Sequence, residues 1–482
     1  MIELRPVAFV IGVLLSILAL AMIIPAVVDA MIGNPDWEVF AAAAATTLFI
    51  GVSMILTTQS GWSSFSLRQA FVMTTTAWIV IAAFGALPFA YSELNLTVTD
   101  AFFESMSGVT TTGSTVIVGL DTAPPGILLW RAILQWLGGI GIIVMALAVL
   151  PMLQVGGMQM FRVEAFETSE KVLPRAAQIA GAITVIYIGL TTVAAAVLWA
   201  LGMTGFEAVA HAMTAIATGG YSTSDQSLGH FDNAAIDATI SVVMVLGSMP
   251  FVLYLRALRG RPMVLLRDSQ VRWMLSILAC AIVAIAVWLD YIDHMPLNEA
   301  LRHSAFNVIS VMTGTGYTSD NFGAWGGFVT VVMFILMFVG GCAGSTTCGI
   351  KIFRFQVLHA TAITHFRRLL QPHGVFFPYY NKRPIPESVS ASVMSFFFLY
   401  IGCFGFLASG LGLLGLDFLT AVSGAATAIS NVGPGLGDII GPVGTFQPLP
   451  DAAKWLLSGG MLLGRLELFT VLVLFMPTFW RG

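Results

Sequence analysis

"VMTGTGYTSD", residues 311–320, sets Gly314 and Gly316 among threonines and a tyrosine in a chain built mostly of Leu, Val, Ile, Ala and Phe. Two helix-poor glycines in close succession end a helical segment instead of continuing it. The stretch has three companions: "TTTGST" (110–115), "TGGYST" (218–223) and "NVGPG" (431–435). With Gly113, Gly220, Gly316 and Gly433 as reference points, the spacings are 107, 96 and 117 residues. Six residues before each stand Ser107, Thr214, Ser310 and Thr427, and four before stand Val109, Ile216, Met312 and Ile429. Between 24 and 31 residues after each comes a further glycine: Gly138, Gly247, Gly340 and Gly464. Agreement at several offsets marks a fourfold internal repeat. Parallel repeats around an axis normal to a membrane enclose a pathway.

The 482 residues are 57% hydrophobic and 10% charged, with a mean hydropathy of +0.89, so lipid must be the main solvent. A net charge of −4 argues against a nucleic-acid partner. Cys280, Cys342, Cys348 and Cys403 lie in apolar stretches without a His or Cys neighbour at zinc spacing, which makes them small buried packing residues. The first apolar run, Val7 to Val28, is too long for a signal-peptide core and reads as a retained helix. Apolar length predicts ten spans: 7–29, 38–57, 70–91, 126–153, 177–202, 235–257, 273–292, 325–365 (broken), 389–415 and 453–478. Four helical stretches, 100–112, 206–218, 299–314 and 417–430, are too short to cross and suit re-entrant segments.

Arg and Lys gather in alternate loops, among them Arg162, Lys171 and Arg175 and the clusters 256–272 and 351–383, while "DTAPPG" and "STSDQSLGHFDN" have neither. The positive-inside rule then places both termini in the cytoplasm. Together these features predict an all-α polytopic membrane protein. Four pseudo-symmetric repeats, each helix–pore helix–filter–helix, surround a central pore, preceded by two extra N-terminal transmembrane helices. The boundaries expected are 1–68 for the extra pair, then 69–155, 156–260, 261–372 (with a broken second helix) and 373–482.

Irregular backbone at membrane depth is tolerated where it is buried in protein or faces water. A glycine there can take a conformation closed to other residues, turning its carbonyl to an axis with no side chain in the way. Four such loops, Thr111, Thr112 and Gly113; Thr218, Gly219 and Gly220; Gly314, Thr315 and Gly316; and Asn431, Val432 and Gly433, give a ring of oxygens able to replace the hydration shell of a monovalent cation. The short helices before them would aim partially negative C-terminal ends at the same point. No carboxylate stands within three residues of the reference glycines.

"NVGPG" and "TGTGY" resemble the potassium-channel filter signature, and four joined helix–filter–helix units resemble the Trk/Ktr/HKT cation transporters over about residues 69–480. The two extra helices and the segments "QWLGGIGI", "GGCAGSTTCGIK" and "GRLELFTVLVLF" are similar to the bacterial Trk potassium-uptake subunits. The resemblance implies K+ as the transported ion, since a glycine rather than a serine stands at 113, and a multi-pass protein of the bacterial inner membrane. It also implies a homodimer embedded in membrane lipid and a cytoplasmic nucleotide-binding regulatory subunit, TrkA-like, which would supply the nucleotide site this sequence lacks.

Two further features bear on flow. "GGCAGSTTCG" (340–349) interrupts the second span of the third repeat with Gly340, Gly341, Gly344 and Gly349 and with Ser345, Thr346 and Thr347. It reads either as a packing kink or as an unwound segment beside the pathway, and the resemblance implies an intramembrane gate. The matching segments "WLGGIG", "VLGSMP" and "LLGRLE" lack its length of helix breakers, which makes the interruption specific to one repeat. Arg465, in the equivalent place of the fourth repeat, is an arginine within a span. It reads as a tie to backbone carbonyls or, as the resemblance implies, as a positive barrier in the pore. Glu467 lies on another helical face, so the two do not pair, and Glu104 and His211 read as structural or outer-vestibule residues. A sodium or mixed sodium/potassium pathway and an alternating-access transporter stay open as alternatives. No nucleophile, metal set or phosphate loop can be assembled, so the chain is not read as an enzyme.

Overall fold

The computed structural model describes residues 3–59, 66–148, 172–381 and 383–481. Two long apolar helices open the chain, α1 (Arg5–Ile32) and α2 (Asp36–Thr58), joined by a tight turn in which Gly33 takes a left-handed cap. Gly12 and Gly51 face each other at the crossing, where a Cβ on Gly12 would stand 2.7 Å from the Gly51 carbonyl oxygen. Small residues let the two backbones close up, which replaces the hydrophobic drive that lipid cannot supply. Buried carboxylates pin this hairpin to the first repeat: Asp29 accepts from the Gly126 amide (2.7 Å) and Asp36 from the Glu93 amide (3.1 Å).

Four units then repeat one plan. The first runs through α3 (Leu67–Gly85), the short α4 (Val98–Val109), a glycine loop and α5 (Pro125–Ala148). The second has α6 (Val172–Ala200), α7 (Gly205–Ile216), and α8 (Ala234–Gly247) with α9 (Phe251–Leu258). The third has α10 (Ser269–Ile292), α11 (Leu297–Met312), and α12 (Gly327–Phe338) with α13 (Ile352–Leu370). The fourth has α14 (Glu387–Leu413), α15 (Phe418–Ser430), and α16 (Asp451–Arg465) with α17 (Phe469–Leu472). A two-residue β ladder, Tyr379–Tyr380 with Arg383–Pro384, is the strand structure among the described residues.

Three of the four short helices start where their sequences provide side-chain caps, and α11 follows Pro296, which provides none. Thr97 accepts from the Asp100 amide, Asp417 from the Thr420 amide, and Thr204 and Glu207 form a reciprocal capping box. Each ends at its glycine loop.

Among the described residues, seven helices are long and apolar enough to cross a membrane, or nine if two bent pairs each count as one. The remaining expected span, the eighth at 325–365, is the one that the loop between α12 and α13 divides. Interruption is not confined to the third repeat, which corrects the sequence reading. α8 and α9 meet at 96°, and α16 and the helix after it at 109°. In the second repeat Pro250 removes an amide donor at the bend; in the fourth, Glu467 and Leu468 adopt left-handed backbone (φ 62° and 40°). The cysteine reading is also corrected in part. Cys342 and Cys348 are buried, but Cys280 is exposed and Cys403 half-buried, on the long apolar helices α10 and α14. Arg162, Lys171, Lys382 and the expected boundary at 155/156 lie outside the described residues.

Ion pairs tie the units together. Lys454 of α16 meets Asp100 of α4 at 2.5 Å, and Arg302 of α11 meets Asp237 of α8 at 2.8 Å. Each neutralises a charge that the bilayer would otherwise penalise.

Candidate functional site

The four glycine loops are built alike, bond for bond. The amide before each reference glycine donates back to the residue five positions earlier: Thr112 to Ser107, Gly219 to Thr214, Thr315 to Ser310 and Val432 to Thr427, at 2.8–3.1 Å. Each loop also alternates in handedness. Thr111, Thr218, Gly314 and Asn431 have φ between 50° and 68°, as do the reference glycines between 77° and 111°, while the residues between them do not. Alternation of this kind turns successive carbonyls to one side of the chain and amides to the other.

The loops interlock in a cycle. A Cβ on Gly113 would overlap the carbonyl oxygen of Gly219, and one on Gly220 that of Thr315. One on Gly316 would overlap that of Val432, and one on Gly433 would stand 2.9 Å from that of Thr112. First repeat meets second, second meets third, third meets fourth, and fourth meets first. The loops holding the twelve residues expected from the sequence are thus brought together, each reference glycine facing a carbonyl oxygen of the next repeat. Thr111, Thr112, Thr218, Gly219, Gly314, Thr315, Asn431, Val432 and Gly433 are buried, and Gly113, Gly220 and Gly316 are half-buried. Such a ring can take the place of water around a monovalent cation.

Residues following the glycines buttress the ring in the opposite sense. Ser114 donates to the Gly433 carbonyl at 2.7 Å, and the Tyr221 hydroxyl donates to the carbonyls of Glu104 (2.8 Å) and Ser114 (3.2 Å). The Tyr317 hydroxyl bonds Thr214. Pro434 packs against Gly316. Behind the first loop, Glu104 accepts from Arg131 Nε (2.8 Å), the Val116 amide (2.9 Å) and Thr115 Oγ1 (3.0 Å). Arg131 in turn lies 4.0 Å from the centre of the Tyr221 ring and donates to the Ser222 carbonyl. The pair is fully buried, so each charge depends on the other. The sequence offered no pattern for it, because the partners stand 27 residues apart.

The later glycines permit close approach of the second helices. A Cβ on Gly138, Gly247 or Gly464 would press on the carbonyl of Val109, Ile216 or Ile429, the last turn of the short helix in the same repeat. In the third repeat Gly340 instead abuts Cys348 within loop 340–349.

That loop sits at the short-helix end of the ring. Thr346 donates its hydroxyl to the carbonyls of Ile216 (3.1 Å) and Gly247 (2.9 Å), accepts from Thr218 Oγ1 (3.1 Å), and its amide reaches the Gly247 carbonyl (3.2 Å). The Cys342 amide donates to the Ser248 carbonyl, the Ala343 amide to Gln270 Oε1, and the Phe251 amide to the Gly344 carbonyl. Within the loop, Ser345 bonds the Cys342 carbonyl and Thr347, while Thr347 accepts from the Gly341 amide. Gly344 and Gly349 hold left-handed backbone (φ 76° and 68°).

Arg465 closes the arrangement from the fourth repeat. Its guanidinium donates to the carbonyls of Thr346 (3.0 Å) and Gly138 (2.8 Å) and to Cys348 Sγ (2.8 Å). The structural tie is therefore present. The same side chain also lines a cavity of about 20 Å³ with Ser345, Thr347, Lys351 and Glu467, room for about one water. Glu467 pairs with Arg354 of α13 and not with Arg465, but it does so from the bend after α16 and not from another face of that helix, which corrects the reason given by the sequence reading. Lys351 and Arg354 escaped sequence reading because they look like ordinary basic-loop residues; both are buried.

A family model described as a cation transport protein, TrkH, matches residues 37–481. The chain is 47% identical to the Trk system potassium uptake protein TrkI of Halomonas elongata, over 99% of this chain and 97% of that one. It is 36% identical to the Trk system potassium uptake protein TrkH of Vibrio parahaemolyticus, over all of both chains. The crystal structure of the potassium transporter TrkH from Vibrio parahaemolyticus superposes with a TM-score of 0.92, at 35% identity and full coverage of both chains.

Proposed function

The chain belongs to the TrkH family of cation transport proteins, and from that premise we propose the route its ion takes. It is a multi-pass membrane potassium-uptake transporter of the Trk system and not an enzyme. The four glycine loops are its selectivity filter, with K+ held between carbonyl oxygens contributed by every repeat. The observation that supports this is the cyclic approach of each reference glycine to a carbonyl of the next repeat. Loop 340–349 is the gate, standing on the cytoplasmic side, and both termini face the cytoplasm. α13 follows the gate directly and carries Arg367 and Arg368 in its last turn, a place for a cytoplasmic nucleotide-binding partner of the TrkA kind to pull. A homodimer is part of this reading.

The filter reading is tested by reconstituting the protein in vesicles and measuring potassium and sodium fluxes separately. Gly113→Ser and Gly316→Ser should each lower the potassium-to-sodium flux ratio, because a side chain displaces the neighbouring repeat's carbonyl. Unchanged ratios in well-inserted forms of both would overturn it.

Arg465 adds a fixed positive charge beside the cavity behind the ring, where a low dielectric makes repulsion of a cation stronger than in water. Arg465→Ala is expected to raise cation flux severalfold in the same vesicles. A normally inserted variant with wild-type flux at every membrane potential leaves only the tie.

A further inference from the structure

In three repeats the residue before the reference glycine bears a side chain, Thr112, Thr315 or Val432; in the second it is Gly219. The backbone of Gly219 lies outside the left-handed region, so conformation alone does not require glycine there. What excludes a Cβ is Gln135 of α5, whose amide group fills the volume such an atom would occupy. Gln135 is fully buried; its Nε2 donates to the Gly219 carbonyl at 2.6 Å and its Oε1 accepts from the Tyr221 amide at 3.0 Å. These two bonds straddle Gly220.

Gln135 stands three residues before Gly138. The same place before Gly247, Gly340 and Gly464 holds Met244, Met337 and Met461, each buried. Methionine and glutamine are both unbranched and close in length, but only glutamine carries an amide to hydrogen-bond the backbone. Pairing each second helix with the loop of the following repeat, as Gln135 meets Gly219, gives the chain its own comparison: Met244 with Thr315, Met337 with Val432 and Met461 with Thr112 combine methionine with a loop side chain, and Gln135 with Gly219 combines glutamine with glycine. We propose that Gln135 is a specificity-determining positioning residue, reaching across from the first repeat to replace the side chain that Gly219 lacks and to hold that carbonyl in the ring. The proposal rests on the filter reading above.

The experiment uses the full chain in vesicles, with potassium and sodium fluxes measured separately. Gln135→Met leaves the Gly219 carbonyl without its amide donor, and the flux ratio should fall about fivefold, the scale of one hydrogen bond. Gly219→Thr alone should also lower the ratio, because its side chain meets Gln135. The double variant Gln135→Met/Gly219→Thr gives the contact between the first and second repeats the residue pairing of the other three and should regain most of the ratio. Gln135→Leu keeps a buried side chain of similar length but has no donor for the carbonyl, and carries the test if the methionine variant does not insert. A wild-type ratio in Gln135→Met or Gln135→Leu, or a double variant no better than the poorer single one, overturns the proposal. If Gly113→Ser and Gly316→Ser shift the ratio while the Gln135 variants do not, only this inference fails; if none shifts it, the filter reading fails with it.

Discussion

Gly220→Ala is expected to abolish potassium uptake in vesicles and in cells that depend on this transporter. A Cβ at Gly220 would be forced into the carbonyl oxygen of Thr315, and that atom is backbone, held by the Thr315 amide's bond to Ser310. It cannot swing aside as a flexible side chain could. The substitution also forces a left-handed backbone (φ 77°) on a residue with a Cβ, at about 1–3 kcal/mol. Gly415→Ala separates the two effects: φ is 87° there, yet nothing lies within 4 Å of the added atom. That control should lose a little stability and keep its uptake. Equal damage from both variants would mean that strain alone, and not collision with the next repeat's carbonyl, explains the Gly220 result.

Removing residues 343–347 should produce the largest rise in cation leak. This segment includes Ser345, Thr346 and Thr347, and with it go the hydroxyl and amide bonds of Thr346 to Ile216 and Gly247, at the threshold of the ring. Selectivity should persist, because none of the twelve ring residues is replaced and, of their bonds, the one from Thr218 Oγ1 to Thr346 is lost. Thr346→Val is the finer probe. It keeps the shape and deletes the one hydroxyl proton shared between the Ile216 and Gly247 carbonyls, about 1 kcal/mol, which would raise the open fraction roughly fivefold if the loop must leave for ions to pass. Vesicle flux assays of both variants decide the matter. A shortened protein that inserts and conducts like the wild type would make the loop a passive bend.

Much of this architecture was legible along the chain, because hydropathy and glycine act locally. Runs of about 20 apolar residues fix spans, and runs of a dozen bounded by Thr97, Thr204 or Asp417 fix the short helices. The glycines, with hydroxyl residues six positions before them, fixed the fourfold plan. The bends in the second and fourth repeats were harder to see: a proline at 250 hints at one, but the left-handed turn at Glu467 and Leu468 leaves no compositional trace.

By itself, then, the sequence determined that there are four repeats, where each loop lies and which residues form it. Tertiary structure alone decided how the loops close on one another: that each glycine faces the carbonyl of the next repeat, while Ser114, Tyr221 and Pro434 lean on the previous one. It also decided that Arg465 reaches both Thr346, 119 residues away, and Gly138, 327 residues away, and that Gln135 fills the space beside Gly219. The physical reason is range. Helix propensity, capping and hydropathy are set by neighbours within a few residues. A hydrogen bond across the ring is set by ring closure, which brings together atoms that no periodicity in the chain connects.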